Sequence, residues 1–242
     1  MILDIGMCAG HDSLYYLGKG FRVVGVEPRA DLVARAQKLL RPWIRSGQMT
    51  IITGAVAEGG AESLEFWINP GKDDWGSLHR EHAEKGTTSA VRIEVPRVSL
   101  GEIFAEFGTP YYMKSDTEGG EDAILSSLAQ QPRAPEFMSF EIWNPEQLSL
   151  LTRLPYRSFQ IRNQWMNPFI SERAPSLEGK TNPTNFTHEH SGPFGLDLPE
   201  DQWVTMDQLE ELVRSWFVLS SQDRALVGHG WLDIHCSRSG SL

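Results

Sequence analysis

Cysteine is nearly absent: Cys8 and Cys236 are the only two in 242 residues. Two thiols make no disulfide framework, and a reducing compartment is the expectation. Basic residues are also scarce, with 22 Lys and Arg against 32 Asp and Glu, for a formal net charge of -10. A phosphate backbone repels such a surface, which argues against nucleic acid as a partner. No apolar run approaches the roughly 18 residues of a membrane span. A basic-then-apolar leader is missing too, because Asp4 interrupts the first residues. No internal repeat is found. What remains is ordinary globular composition, 40% hydrophobic and 22% charged. A chain of this length buries a core without disulfides or structural metal. These absences predict an acidic, soluble, cytoplasmic protein.

The first half alternates short apolar runs with amphipathic stretches, the pattern of strand-helix-strand units around a parallel sheet. Ile2 to Ile5, Phe21 to Val26 and Met49 to Thr53 read as strands. Asp12 to Leu17 fits a helix with Asp12 at its N-cap. Leu32, Val33, Ala36, Leu39 and Leu40 place a second helix from about Arg29 to Ile44. Alternation at Leu64, Phe66 and Ile68, and again at Val91, Ile93 and Val95, predicts a hairpin or edge strands inserted into the parallel scheme. The loop between, Asn69 to Ala90, is long enough to act as a lid. Ser99 to Phe107 reads as a helix with a Ser99/Glu102 capping box. Tyr111 to Asp116 and Phe137 to Ile142 are strands, with a helix from Gly119-Gly120 to Ala129 between them. Beyond Asn144 the text is harder to read. Arg157 to Arg162 and Trp231 to His235 fit strands and Met206 to Leu219 a helix, but residues 163–204 show little periodicity.

The chemistry begins at Asp4-Ile5-Gly6-Met7-Cys8-Ala9-Gly10-His11-Asp12-Ser13. A strand running into a glycine-bearing turn and then a helix lets backbone approach a ligand closely. Cys8 stands where a dinucleotide fold has its middle glycine, so a diphosphate is disfavoured. Asp4 favours a ligand with a cationic end, and S-adenosylmethionine, with its ammonium and sulfonium charges, fits. Glu27 sits at the end of the second strand, before Pro28 and roughly 20 residues after the turn, where Rossmann-like folds hold ribose hydroxyls. The same carboxylate could instead face a helix N-terminus. With Asp4, Gly6 and Gly10 in place, the ligand reading is the stronger.

Residues Ile2 to Pro28, Val95 to Leu100, Met113 to Glu121 and Ser139 to Glu141 resemble the FkbM-type methyltransferase family. The resemblance covers about residues 2–145 and is most specific over Lys114 to Glu121, a Lys-x-Asp-x-Glu-Gly-x-Glu run. Gly192 to Gly195 and Trp231 to His235 resemble tails of some members less closely. Ser115 departs from the usual apolar residue between Lys and Asp. The resemblance implies a class I, S-adenosylmethionine-dependent enzyme, typically an O-methyltransferase of natural products or sugars. The implied fold is α/β: a Rossmann-like, doubly wound, mostly parallel sheet ending in a late antiparallel strand, Trp231 to Cys236. Residues 1–145 would form the cofactor-binding core, and 146–242 an irregular extension completing the sheet and shaping the acceptor pocket. Gly54 to Ala57 would lie near the adenine. The cofactor-binding set is then Asp4, Gly6, Cys8, Gly10, Asp12, Ser13, Glu27, Pro28, Ala55, Val56 and Asp116.

Asp116 and Glu118 follow a central strand, at the rim that faces the transferred methyl in class I methyltransferases. A carboxylate there can take a proton from a hydroxyl acceptor, a small molecule. Lys114 shares a strand face with Asp116 and would balance its charge. Asp116, Glu118 and Lys114 are the catalytic candidates. Glu121 reads better as a helix-start carboxylate. Asp116, Glu141 and Asn144 could alternatively hold Mg²⁺, but no spacing fixes them and no metal is assigned. His188 and His190 lack a third zinc ligand at a known spacing, and one of them could serve as an acceptor-site base. His11 reads as a loop residue and Cys8 as a small filler beside the cofactor. Trp203, Trp216, Trp231 and Phe194 suit either an apolar acceptor pocket or the core that docks the tail. A nicotinamide-dependent oxidoreductase and a non-catalytic cofactor-binding module remain the alternatives.

Overall fold

The protein is described by a computed structural model covering residues 1–84, 88–222 and 230–239. Its main sheet begins with β1 (Ile2–Ile5), whose residues are all buried. After α1 (His11–Gly18) comes β2 (Val23–Glu27), then α2 (Ala30–Leu39), α3 (Arg41–Ser46) and β3 (Met49–Thr53). The helix expected over Arg29 to Ile44 is thus two. Leu40 leaves helical geometry, and Pro42 restarts the chain in the first turn of α3, where its missing N–H costs nothing. Helix α1 is capped by Gly10 in a left-handed conformation, φ 91°. Asp12 is therefore not the N-cap; its carboxylate accepts the Ser191 N–H at 2.9 Å instead.

The alternating segments do not join the parallel sheet. β4 (Ala55–Val56), β5 (Ser63–Asn69), β6 (Lys72–Ser77) and β7 (Val91–Val98) form their own sheet in the order β4-β7-β5-β6. Phe66, Val95 and Ala55 bury a small core of its own. Strand β6 and the short helix α4 (Arg80–Ala83) occupy the segment expected as an open loop, of which 85–87 lie outside the described residues. Lys72 to Ser77 has no apolar alternation to reveal a strand; it is held by antiparallel pairing to β5.

The chain then returns through α5 (Leu100–Phe107), with the predicted Ser99/Glu102 capping box. β8 (Tyr112–Ser115), α6 (Glu121–Leu128), β9 (Phe137–Glu141) and α7 (Leu148–Leu151) follow. β10 (Ser158–Asn163), α8 (Met206–Gln222) and β11 (Leu232–Ser237) complete the described elements. The main sheet runs β10-β11-β9-β8-β1-β2-β3, with winding reversed between β1 and β8. β11 is antiparallel, as expected, but it lies between β9 and β10 rather than at the edge.

Strand alternation separates two cores. Leu3, Ile5, Met113 and Phe140 face one layer; Ile2, Val23, Tyr112 and Phe137 face the other, with α1. Phe194, from the irregular extension, is fully buried there and stacks on Tyr112 at 4.5 Å. It therefore belongs to the core and not to an acceptor pocket. Trp203 packs against the same core, and Trp216 against the first.

The extension is fastened by Lys19, the residue capping the end of α1, whose side chain is fully buried. Its ammonium pairs with Glu172, and with Asp197 at 2.8 Å and the Ser176 hydroxyl at 2.8 Å. A buried charge stripped of its partner costs about 3–5 kcal/mol. Lys19→Ala is expected to lower unfolding stability by that amount in urea and to expose residues 171–190 to proteases. An unchanged urea midpoint would show that the cluster holds nothing.

Candidate active site

The glycine turn after β1 packs against the carboxyl end of β8, where the winding reverses. Open α/β sheets bind ligands at that point. Gly6 has φ 76°, and a Cβ on it would meet the Asp116 carbonyl oxygen at 1.8 Å. Two strand ends touching through backbone thus dictate this glycine. A cavity of about 1030 Å³ opens beside the turn. Gly6, Cys8, Asp12, Glu27, Pro28, Ala55, Val56, Lys114, Asp116 and Glu118 all line it. Asp4, Gly10 and Ser13 are buried and do not line it. Gly10 sits against Leu40, and the Ser13 hydroxyl bonds Asp4 at 2.6 Å. Asp4 lies 3.7 Å from the Lys114 ammonium, which does line the cavity.

Glu27 is 5% exposed. One carboxylate oxygen accepts the Cys8 N–H at 3.0 Å and the other the Arg29 N–H at 2.9 Å. It therefore ties the turn to the start of α2. Burial raises its pKa to about 7 against these hydrogen bonds. Cys8, also by burial and then by Glu27, is raised to about 11 and stays a neutral thiol.

The Lys114 ammonium lies 3.1 Å from Asp12, 3.3 Å from Asp116 and 3.7 Å from Asp4. Burial works against its charge, but the three carboxylates outweigh it and push the pKa well above the usual lysine value. Alternation of β8 predicted this meeting of Lys114 with Asp116. Glu118 has φ 53°, and its carbonyl accepts the Ser77 hydroxyl at 2.6 Å. The smaller sheet is thereby fixed to the segment that follows β8. Glu121 accepts the N–H groups of Thr117 at 2.7 Å and Gly119 at 2.9 Å, a structural role as read from sequence.

Asn144 caps the turn Pro145–Gln147, which occupies its side-chain oxygen. Among the described residues no group of three or more His, Cys, Asp or Glu side chains is arranged to hold a metal. His188 stacks on Trp165 at 4.5 Å, while His190 Nδ1 accepts the Thr187 N–H at 3.1 Å. His11, read as a loop residue, opens α1, lines the cavity and pairs with Glu189 at 3.1 Å.

Sequence reasoning missed Arg29, Trp75, Trp143, Gln164 and Trp165, which line the same cavity. Arg29 bonds the Asp73 carbonyl at 2.9 Å, drawing β6 over the cleft. Trp143 was detectable in principle, two residues beyond Glu141 at a strand end; Trp165 lies in text without periodicity. Of Trp203, Trp216 and Trp231, the last lines the cavity.

Residues 4–160 match the family model described as the methyltransferase FkbM domain. The chain belongs to the FkbM methyltransferase family. A solved FkbM methyltransferase from Methylobacillus flagellatus KT is 16% identical, with a TM-score of 0.45, over 67% of this chain and 39% of that one. The chain thus spans less than half the length of that relative. The C-terminal domain of precorrin-6Y C5,15-methyltransferase from Rhodobacter capsulatus is also 16% identical, with a TM-score of 0.40, over 75% of this chain and 74% of that one. No curated protein sequence matches. In this member of the family, no helix among the described residues is long and apolar enough to cross a membrane.

Two buried acids, Glu27 and Asp233, make stability depend on pH. Burial first raises Glu27 from 4.5 to about 7 and Asp233 from 3.8 to about 8. The native state then keeps protons that the unfolded chain has released. Their contribution is complete below the unfolded values and is lost as pH rises through about 7 to 8. The melting temperature of the ligand-free protein should fall by several degrees between about pH 5.5 and about pH 9, at roughly 2–4 °C per kcal/mol. Asp233→Asn should flatten the fall. A drop of the same size in that variant would contradict the assignment.

Proposed function

We propose that this FkbM methyltransferase binds S-adenosylmethionine along the ends of β1, β2 and β3 and methylates a hydroxyl of a small natural product or sugar. The observation that carries the reading is Glu27, a desolvated carboxylate at the end of β2 in the wall of the cavity. Each of its oxygens has one backbone donor and retains lone-pair capacity for ribose hydroxyls. Pro28, Ala55 and Val56 supply apolar wall for the adenine. Asp4, Asp12 and Asp116 outnumber the one ammonium of Lys114, a balance that suits a cationic cofactor.

The cofactor brings an activated methyl group, so the protein's task is to orient the acceptor and remove its proton. Asp116 is partly exposed on the cavity wall and serves as the base. Lys114 is a positioning residue that fixes the Asp116 carboxylate, and Glu118 faces the acceptor beside it. The segment from residue 146 shapes the acceptor end through Gln164, Trp165, His188 and Trp231. Both cysteines are free, which suits a cytoplasmic enzyme.

Calorimetry with S-adenosylhomocysteine tests the cofactor site. Glu27→Ala is expected to weaken binding about 100-fold, the worth of two charge-assisted hydrogen bonds. Retained micromolar affinity would remove Glu27 from the site. Binding of a nicotinamide nucleotide instead would favour an oxidoreductase. Asp116→Asn, assayed at saturating cofactor with any acceptor that turns over, should lose about 10²–10⁴-fold in kcat. An unchanged rate would exclude Asp116 as base.

A further inference from the structure

The far end of the cavity has an electrostatic problem that the cofactor side does not share. Glu141 closes β9, lines the cavity and is 9% exposed. Its carboxylate makes no hydrogen bond or ion pair with any described residue, and burying such a group unpaired is costly. Burial first, then the neighbouring charges of Glu118 and Asp116, holds its pKa well above the ordinary carboxylate value. The cation of this region, Lys114, is already shared by three carboxylates within 3.7 Å.

The indole rings of Trp143, Trp165 and Trp231 line the same cavity as this acid. Glu141 lies directly across from Asp233 of β11, and the Ile142 N–H bonds the Leu232 carbonyl at 2.9 Å. Continuing that register sets Trp143 opposite Trp231, on the same face as Glu141. Trp165 meets Trp231 edge to face at 6.4 Å. Carboxylate and indole together are the chemistry that receives an organic cation, through a charge-assisted hydrogen bond and the negative faces of the rings.

We infer that the cavity end formed by Glu141, Trp143, Trp165 and Trp231 is the acceptor subsite, and that it takes an acceptor carrying a protonated amine beside the hydroxyl that is methylated. The inference rests on the methyltransferase reading above and narrows its substrate class. The cofactor's own ammonium is the rival occupant. Glu27 and Glu141 end strands β2 and β9, three sheet positions apart in the order β2-β1-β8-β9. At about 4.8 Å per strand that is roughly 14 Å, which separates a nucleoside end from an acceptor end.

The test uses benzylamine, benzyl alcohol and phenylacetate, three probes of one shape and three charges. Each is titrated into the full chain, with and without saturating S-adenosylhomocysteine, and followed by tryptophan fluorescence. In the saturated protein benzylamine is expected to bind at least about tenfold more tightly than benzyl alcohol, and phenylacetate most weakly, as one charge-assisted contact requires. Glu141→Gln should bring the amine and the alcohol to within about threefold. Equal binding of these two by the unsubstituted protein overturns the inference without recourse to any variant. So does a preference that survives Glu141→Gln, or one that disappears when S-adenosylhomocysteine saturates the site. Failure of S-adenosylhomocysteine to bind at all counts against the methyltransferase reading instead, and the amine preference is then read from the unsaturated titration.

Discussion

One ammonium group organises the centre of this molecule. Lys114 rises from β8 into a buried space bounded by Asp4 of β1, Asp12 of α1 and its own neighbour Asp116. Without that charge, three carboxylates would face each other in a medium that screens them poorly. With it, β1, α1 and β8 are drawn to one point. Asp12 extends the connection by receiving the Ser191 N–H, so the irregular extension is held to the same centre. Such a buried arrangement is weak evidence of stability for its own sake. Its value here is geometric, since it sets Asp116 relative to the glycine turn.

The extension repeats the device on a second level. Lys19 anchors it from the end of α1 through Glu172 and Asp197, while Tyr111 donates to Glu178 at 2.8 Å. Phe194 fills the aromatic layer under Tyr16 and Tyr112. These contacts explain how residues with little regular secondary structure present His188 and Trp165 to the cavity in a defined place. The smaller sheet is attached differently. It reaches the rim through Ser77 on the Glu118 carbonyl and through Asp73 on Arg29.

Much of the parallel scheme was legible because buried strands and amphipathic helices leave a periodic signal. The Ser99/Glu102 capping box was legible because it is a local exchange of hydrogen bonds. Glu27 stood out because its distance from the glycine turn has a physical meaning. The failures share a cause, namely dependence on partners distant in sequence. Strand β6 is a strand only because β5 lies beside it, and the insertion of β11 between β9 and β10 has no local signature. Asp12 carries an N-cap residue type, yet Lys114 and Ser191 claim its carboxylate. Asp4 is fully buried beside Lys114, a pairing across β1 and β8 that no local pattern shows. Glu141 looked like a possible metal ligand. The structure instead shows Asn144, its supposed co-ligand, spent on a turn.

The contact between Gly6 and the Asp116 carbonyl has a consequence for how such an enzyme can diversify. A Cβ at position 6 would sit 1.8 Å from that oxygen, so main chain rests on main chain. The span from the glycine turn to the proposed base is therefore independent of side-chain identity. Substitutions along β9, β11 and the extension can remodel the far end of the cleft without altering that span. What side chains can change and what main chain fixes thus fall on different parts of the same chain.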